Sequence, residues 1–230
     1  RDLGLRLGLF GGEAGLDDPA YRARLEAPWG FQVRNANYGV SDVFCNFAGQ
    51  SELSNDLHFM GLDVLHPELI DPDSGQPKPW RAGETGELLL THVSRVCQPL
   101  VRFRTGDIVT LTGTDRAACG RSAPRFRVVG RSDDMVVVRG LNAFPAQVAA
   151  ILNAIPALSG EYRIQLPGGG PYDHLPAEAE LAAGATAEAT QIEAAIKRGL
   201  GMTARVTLLP FGSLPRTEGK TRRVFRKEPT

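Results

Sequence analysis

The chain has 230 residues, 42% of them apolar, which is enough for one large domain or two small ones. Its 26 basic and 26 acidic residues balance, so neither nucleic acid nor an anionic membrane is an expected partner. No apolar run approaches the roughly 20 residues of a membrane helix, and three scattered cysteines indicate free thiols and a cytoplasmic location.

Alternating apolar residues predict a strand over residues 5–10 that ends in a turn at Gly11-Gly12. The first residues carry neither Met nor a signal-peptide pattern, so we expect a segment of a longer protein. The sequence Asp17-Asp18-Pro19 predicts the start of a helix that runs to about Leu25 and stops before Pro28. A short strand then begins at Phe31 and runs into residues 37–39.

A β-hairpin is predicted over residues 62–93, with arms at 64–70 and 86–93. Its turn, Asp71-Pro72-Asp73-Ser74-Gly75, has Pro to preset φ and Gly to permit positive φ. Two separate strands are predicted at 100–104 and 107–112, and another at 125–129.

The polar segment 130–134 predicts a domain boundary, with one domain over 1–132 and a smaller one over 133–230. In the smaller domain we predict strands, helices and a closing strand in the order β-α-β-β-α-β, over the following ranges: 135–138, a helix from 145, 162–166, 175–181, 190–200 and 204–208. This order predicts a small open sheet with helices on one face, a ferredoxin-like α+β unit.

Four segments carry residues suited to chemistry: residues 38–42 (Tyr-Gly-Val-Ser-Asp), 104–107 (Arg-Thr-Gly-Asp), 130–134 (Gly-Arg-Ser-Asp-Asp) and 214–220 (Leu-Pro-Arg-Thr-Glu-Gly-Lys). Any one alone would be an ordinary turn. Together and in this order they resemble the adenylate-forming superfamily of acyl-CoA synthetases and luciferases. The amino-acid sequences of residues 139–145 and 215–220 resemble the phenylacetate–CoA ligase branch in particular. The resemblance to the superfamily covers essentially the whole chain.

The resemblance implies an overall α/β and α+β fold. The chain would be the C-terminal part of the β-rich large domain, followed by the small mobile domain. It also implies a two-step reaction. A carboxylate attacks the α-phosphate of ATP to give an acyl-adenylate and pyrophosphate; the small domain then rotates, and the thiol of coenzyme A displaces AMP. ATP, Mg²⁺, coenzyme A and a phenylacetate-like aromatic acid are therefore the expected ligands, and a homodimer is left open.

In the first segment, the resemblance implies that Tyr38 stacks on adenine, a task that suits a flat aromatic face. Gly39 belongs to the same nucleotide-binding segment, and Ser41 would donate a hydrogen bond to the α-phosphate. Asp42 stands where the family usually has Glu and would help to hold Mg²⁺, because a carboxylate keeps the hard oxygen donor that this ion needs.

In the middle segments, the resemblance implies that Asp107 accepts hydrogen bonds from both ribose hydroxyls, as a carboxylate can. It places Arg131 near the ribose and phosphate and makes Asp133 the hinge of domain rotation. Gly140 would line the pantetheine tunnel, where a missing side chain leaves room.

Lys220 is the predicted catalytic residue, because a long cationic side chain on a loop next to glycine can follow developing negative charge. A solvated basic tail is the alternative, since Lys220 lies in a basic run.

Gly12 and Glu13 resemble the segment of the family that flanks the adenine and acid pockets.

Some relatives in this branch carry Cys-x-Cys-Gly-Arg and an upstream His, which looks like a structural zinc site. Here only Cys119 remains of the pair, because residue 117 is Ala, and His58 is present. Four ligands at suitable spacing are not evident, so we expect no zinc.

The phosphate loop of the superfamily is absent from this sequence, so we expect the chain alone to have little adenylation activity. Two other functions stay open: an adenylating enzyme that passes the acyl group to a carrier protein without coenzyme A, and a non-enzymatic binding module.

Overall fold

The computed structural model describes residues 4–11, 16, 18–216 and 222–226. The chain folds as two compact units, residues 1–133 and 134–230. None of the helices in the described ranges is both long and apolar enough to cross a membrane.

A curved nine-stranded sheet forms the first unit, in the strand order β1-β2-β3-β4-β9-β8-β7-β5-β6. Its elements are β1 (Leu7–Gly11), α1 (Pro19–Trp29), β2 (Gln32–Val40), β3 (Phe44–Ser51), β4 (Ser54–Phe59), β5 (Leu65–Ile70), β6 (Pro77–Lys78), β7 (Thr85–His92), β8 (Phe103–Gly113) and β9 (Arg125–Arg131). Strands β1 and β2 are parallel and are connected by helix α1. Every other pair of neighbouring strands across the sheet, from β2 to the edge strand β6, is antiparallel. Large apolar side chains from β3, β4, β5, β7, β8 and β9 form the core.

The predicted hairpin is confirmed, because β5 and β7 pair antiparallel from Leu65–His92 to Ile70–Glu87. The short strand β6 pairs along β5 within the connection. The predicted end of the first helix is wrong. Helix α1 runs through Pro28 to Trp29, because a proline in the last turn removes only one backbone hydrogen bond. Gly30 then ends the helix with φ of 69° and donates its N–H to the Glu26 carbonyl.

Two further differences concern the strands. The predicted strands 100–104 and 107–112 are one strand, β8, because Gly106 continues the chain at a φ of 76° where the register against β7 shifts. The hairpin of β3 and β4 was not predicted from the sequence.

The second unit contains a two-stranded hairpin and a four-stranded sheet, ordered β14-β13-β12-β15. Its elements are β10 (Val136–Val138), β11 (Leu141–Ala143), α2 (Pro145–Asn153), β12 (Leu158–Leu166), β13 (Leu175–Leu181), α3 (Ala189–Leu200), β14 (Ala204–Leu209) and β15 (Val224–Arg226). Strand β13 is antiparallel to β12 and parallel to β14, and β15 is parallel to β12. Val148, Leu152, Ile192 and Ile196 of the two helices pack into one core with the sheet.

Both predicted helices of this unit and the predicted strand 175–181 are confirmed. The ferredoxin-like arrangement is not, because the first predicted strand lies outside the four-stranded sheet. Residues 136–138 pair instead with β11, and β15, which was not predicted, forms the edge beside β12. The turn between β10 and β11 lies at Arg139 and Gly140, and Leu141 begins β11.

Candidate functional site

Tyr38, Asp107 and Arg131 meet in the first unit, although they lie on β2, β8 and β9. The hydroxyl of Tyr38 donates to Asp107 Oδ2 at 2.7 Å. Asp107 and Arg131 are direct partners across β8 and β9, and Arg131 Nη1 lies 3.1 Å from Asp107 Oδ1. Strand β2 is four strands away from β8 in the sheet, so only the strong curl of the sheet brings the tyrosine to the carboxylate.

The Tyr38 ring is fixed by aromatic packing. Its edge contacts are with Phe47 and Phe126, each with ring centroids 5.3 Å from that of Tyr38. Burial raises the pKa of the Tyr38 hydroxyl well above 10, and the negative charge of Asp107 raises it further. The tyrosine therefore stays protonated and donates to the carboxylate at any physiological pH.

Arg131 joins two carboxylates. Its Nε and Nη2 donate to Asp133 at 2.9 and 3.2 Å, while Nη1 faces Asp107. A side chain at position 106 would collide with this guanidinium, since a Cβ there would lie 2.7 Å from Nη2. Gly106 is thus favoured chiefly by its positive φ, and a Cβ there would also displace the Arg131 guanidinium from its present position.

A buried acid supports the segment that carries Asp107. Glu87 on β7 is 1% exposed and pairs with Arg104, and its Oε1 accepts the Gly106 N–H at 3.2 Å. The Thr105 hydroxyl donates to the Leu88 carbonyl at 2.8 Å, and its Oγ1 accepts the Asp107 N–H at 3.1 Å. The residues 104–107 are therefore all engaged in holding one bend of β8. A role for Glu87 was not predicted from the sequence. Its position as the single acid in the apolar strand β7 is the signal that could have indicated a buried, paired carboxylate.

Ser41 and Asp42 lie beyond the end of β2, on an exposed turn, and Gly39 lies within β2. The Asp42 carbonyl accepts a hydrogen bond from Arg95, whereas no cation in the described ranges pairs with its carboxylate. A single accessible carboxylate fits Mg²⁺, which is commonly held by one or two carboxylates, water and substrate phosphates.

Gly140 lies in the second unit, at the tip of the β10–β11 hairpin. Arg139 and Gly140 have φ of 48° and 78°, the pattern of a two-residue hairpin turn of type I′. The tip borders an open groove of about 510 Å³ with the glycine-rich segment 168–170, Tyr172 and Arg226 on its other side. Glycine at the rim keeps this groove open.

Three predicted site residues, Gly12, Glu13 and Lys220, lie outside the described residues. The segment that leads toward Lys220 is described up to Arg216. It is held by Glu180 of β13, which is fully buried and accepts the Leu214 N–H at 2.8 Å and the Arg216 guanidinium at 2.5 Å. Sequence reasoning missed Glu180, because its partner is 36 residues away and no spacing rule connects them.

Cys119 lies beside His58, with Sγ 3.8 Å from Nε2. No group of three or more His, Cys, Asp or Glu residues suited to a metal occurs in the described part of the chain. A structural zinc site needs four good ligands, and here Ala occupies position 117 while the third neighbour is the hydroxyl of Ser51. The residues present therefore do not fit the zinc site of some relatives.

Three comparisons with known proteins identify related chains. Residues 140–227 match the family model of the AMP-binding enzyme C-terminal domain. Phenylacetate–coenzyme A ligase of Thermus thermophilus is 33% identical over 232 residues, covering 88% of this chain and 50% of that protein. The phenylacetate–coenzyme A ligase of Pseudomonas putida is 33% identical and covers 98% of this chain and 52% of its own length.

A solved structure of 2-hydroxyisobutyryl-CoA ligase, in the postadenylation state with R3-HIB-AMP, is 31% identical with a TM-score of 0.84. It covers 97% of this chain and 49% of the ligase. An open conformation of the same enzyme, in complex with 2-HIB-AMP and CoA, has a TM-score of 0.65.

The chain therefore carries an AMP-binding enzyme C-terminal domain and is homologous over nearly its full length to about half of an acyl-CoA ligase. Among acyl-CoA ligases it is a homologue of the phenylacetate–coenzyme A ligases and corresponds to their C-terminal half. It spans about half the length of the curated relatives that it matches.

Proposed function

We propose that this chain is the part of a cytoplasmic acid–CoA ligase that binds the nucleotide ribose and presents the adenylation lysine. The cluster of Tyr38, Asp107 and Arg131 carries the proposal. It holds the mostly buried Asp107 carboxylate between the Tyr38 hydroxyl donor and the Arg131 guanidinium, and this arrangement suits recognition of neighbouring hydroxyl groups.

In the proposed nucleotide complex, Asp107 accepts hydrogen bonds from the ribose hydroxyls. Each carboxylate oxygen has two acceptor positions, so a ligand hydroxyl and a protein donor can share one oxygen. Arg131 keeps the charge of Asp107 balanced and lies beside the phosphates, and Tyr38 offers its ring to adenine. Gly39 lets the backbone lie close to the base, and Gly12 and Glu13 flank the same pocket.

Next to the phosphates, Ser41 donates its hydroxyl to the α-phosphate and Asp42 supplies one oxygen ligand to Mg²⁺. When bound, Mg²⁺ neutralises phosphate charge during pyrophosphate departure. Lys220 approaches the reacting carboxylate and α-phosphate, where a mobile cation stabilises the negative charge of the transition state.

We further propose that the domains are 1–132 and 133–230, with Asp133 as the hinge. In the second step, Gly140 would line the channel for the pantetheine arm of coenzyme A. The open groove of about 510 Å³ beside Gly140 supports this role. We propose a phenylacetate-like aromatic acid as the substrate because the curated relatives are phenylacetate–coenzyme A ligases.

An acyl carrier protein in place of coenzyme A is the alternative acceptor. The two acceptors can be separated with a chimera in which this chain replaces the C-terminal half of the Thermus thermophilus ligase. With ATP, phenylacetate and CoA, mass spectrometry should detect acyl-CoA under the first proposal, while acyl-adenylate accumulation without acyl-CoA would favour the alternative.

Nucleotide binding can be tested on the chain itself by calorimetric titration with AMP. Asp107→Asn should weaken AMP binding about tenfold or more, since hydrogen bonds to a charged acceptor contribute roughly 1.5–3 kcal/mol. Asp115→Asn is a matched control, because Asp115 forms an ion pair with Arg125 on an exposed loop. Equal AMP affinity of Asp107→Asn and the wild-type chain would refute the ribose role.

We also propose that the chain alone is inactive in adenylation, because the phosphate loop of the superfamily is missing from its sequence. Carboxylate-dependent exchange of pyrophosphate into ATP should stay at background with the isolated chain. Substantial exchange would contradict this and would leave the AMP-binding result unaffected.

A further inference from the structure

The turn that carries Ser41 and Asp42 is held from outside its own hairpin. It joins β2 to β3 and is closed by a hydrogen bond from the Val43 N–H to the Val40 carbonyl at 2.9 Å. Ser41 and Asp42 are both exposed, so burial of their own side chains does not fix the turn. Contacts with the neighbouring Val43, which is buried, therefore decide how firmly the two residues are placed.

Two side chains, one from the end of β7 and one from the loop after it, bind the Val43 carbonyl. His92 Nε2 lies 2.9 Å from this oxygen, and Arg95 Nη1 lies 3.0 Å from it. Arg95 Nη1 also approaches the Asp42 carbonyl at 3.4 Å. A carbonyl oxygen has two lone pairs, so the two side chains occupy both acceptor positions of Val43. Three strands separate β3 from β7 in the sheet, so this contact depends on the curl of the sheet.

The tautomer of His92 follows from its second contact. The Leu100 N–H donates to Nδ1 at 3.0 Å, so Nδ1 is the unprotonated nitrogen of the neutral ring. The ring proton is then on Nε2 and is donated to the Val43 carbonyl. The backbone N–H of His92 also donates to the Leu100 carbonyl at 2.9 Å, which closes the loop of residues 93–99 beside the ring. His92 therefore links the end of β7, residue 100 and the turn at residues 41–43.

An open groove of about 610 Å³ lies beside the turn, and Ser41, His92 and Arg95 are among its lining residues. We propose that His92 and Arg95 are positioning residues, which hold the turn of Ser41 and Asp42 where it meets the nucleotide phosphate. This inference rests on the proposed function, in which Ser41 donates to the α-phosphate. His92 acts through its Nε2 donor and Arg95 through its guanidinium, and neither needs to touch the nucleotide.

The test compares calorimetric binding of AMP and of adenosine to the chain, because only AMP carries the phosphate that the turn would meet. His92→Asn keeps an acceptor near Nδ1 for Leu100 but is too short to reach Val43, whereas His92→Gln places an amide N–H near the position of Nε2. His92→Asn should weaken AMP binding roughly threefold to tenfold, as expected for one lost hydrogen bond, and should leave adenosine binding unchanged. His92→Gln should restore the AMP affinity, and Arg95→Ala should behave like His92→Asn.

His66→Ala and Arg81→Ala are the matched controls. His66 is an exposed histidine of β5, and Arg81 forms an exposed ion pair with Glu84. Neither has a hydrogen bond or ion pair with residues 41–43 in the described part of the chain. These variants remove an imidazole ring or a positive charge from the first unit, and both should bind AMP as the wild type does.

Amide hydrogen exchange without nucleotide is a second measurement, in which residues 41–46 should exchange faster in His92→Asn than in the wild type. AMP binding that His92→Asn leaves unchanged would overturn the positioning role. An equal weakening of adenosine binding would also overturn it, because it would show a general loss of structure. Weakening by Arg95→Ala alone would point instead to direct contact of Arg95 with the phosphate. If the wild-type chain bound neither AMP nor adenosine, the proposed function itself would fail, so the two failures can be told apart.

Discussion

Replacing Glu180 by glutamine tests how the segment leading toward Lys220 is held. Glu180 lies on the sheet face opposite the helices, yet it is fully buried because residues 210–216 cover it. The ion pair with Arg216, helped by the Leu214 N–H, lowers the pKa of Glu180 to about 2 against the effect of burial. Gln at this position keeps an acceptor for Leu214 and loses the charge.

The expected loss follows from the pKa of Glu180. A fall from 4.5 to about 2 corresponds to about 3 kcal/mol of preference for the folded state. The Arg216 side chain is 47% exposed, so solvent screening reduces the contribution. We therefore expect Glu180→Gln to destabilise the second unit by about 1–2 kcal/mol at pH 7.

The pH dependence has a definite sign. The folded pKa of Glu180 is lower than its unfolded pKa, so its contribution is complete above about pH 4.5 and declines as the pH falls toward 2. The difference between wild type and Glu180→Gln should shrink over this range. Amide hydrogen exchange of β13 and α3 is the suitable assay, because two units need not unfold in one transition.

Glu178→Gln is the matched control, two residues earlier on the same strand and face. Glu178 pairs with Arg163 in a half-exposed position, so its loss should cost at most about 0.5–1 kcal/mol. If Glu180→Gln cost no more than Glu178→Gln, or if its cost did not change between pH 7 and pH 2.5, the anchoring role of Glu180 would be wrong.

Two further substitutions test backbone positions. Gly106→Ala should destabilise the first unit by about 1–3 kcal/mol, because the new Cβ meets Arg131 and φ is 76°. Urea unfolding followed by tryptophan fluorescence measures this loss of stability, since Trp29 and Trp80 both lie in the first unit. Gly49→Ala is the control, because a Cβ at position 49 would make only ordinary contacts and should cost little. A loss of stability in Gly49→Ala equal to that in Gly106→Ala would contradict the explanation. Arg139→Asn should stabilise the β10–β11 hairpin by about 0.5–1 kcal/mol, because Asn tolerates the φ of 48° better than Arg. Slower amide exchange in residues 136–143 would agree, and the same slowing in Arg139→Lys would show that φ is not the cause.

Elements with a strong pattern were predictable from the sequence. Helix α3 has Ile192 and Ile196 at helical spacing, and β5 and β7 flank a turn with Pro and Gly at informative positions. The hairpin of β3 and β4 has no comparable signal, since residues 44–51 mix aromatic, small and amide side chains without alternation. Strand β15 is three residues long in a basic segment, so only its pairing with β12 makes it a strand.

For the candidate site, the sequence indicated Asp107 and Arg131 but not how they are held. Their direct pairing depends on the register of β8 against β9, and the contact of Tyr38 with Asp107 depends on the curl of five strands. Neither is a local property of the chain.

A similar ion-pair arrangement occurs in both units, beside the segments proposed to act on the ligand. In each, a carboxylate that is at most 1% exposed pairs with an arginine whose side chain is about half exposed, Glu87 with Arg104 and Glu180 with Arg216. Each carboxylate also accepts a backbone N–H from the same segment, that of Gly106 or Leu214. A buried charge without its partner is costly, so the pairing fixes the backbone more firmly than a surface ion pair would.

It follows that the arginines of the segments 104–107 and 214–220 act mainly on the protein itself. Arg104 and Arg216 hold the backbone beside Asp107 and at residues 214–216, which leaves other residues of the two segments for the proposed ligand contacts. An exposed arginine in such a segment would ordinarily be assigned to phosphate binding. The buried glutamates beneath Arg104 and Arg216 argue instead for positioning, which is consistent with the place of each arginine three or four residues before the residue proposed to act, Asp107 or Lys220.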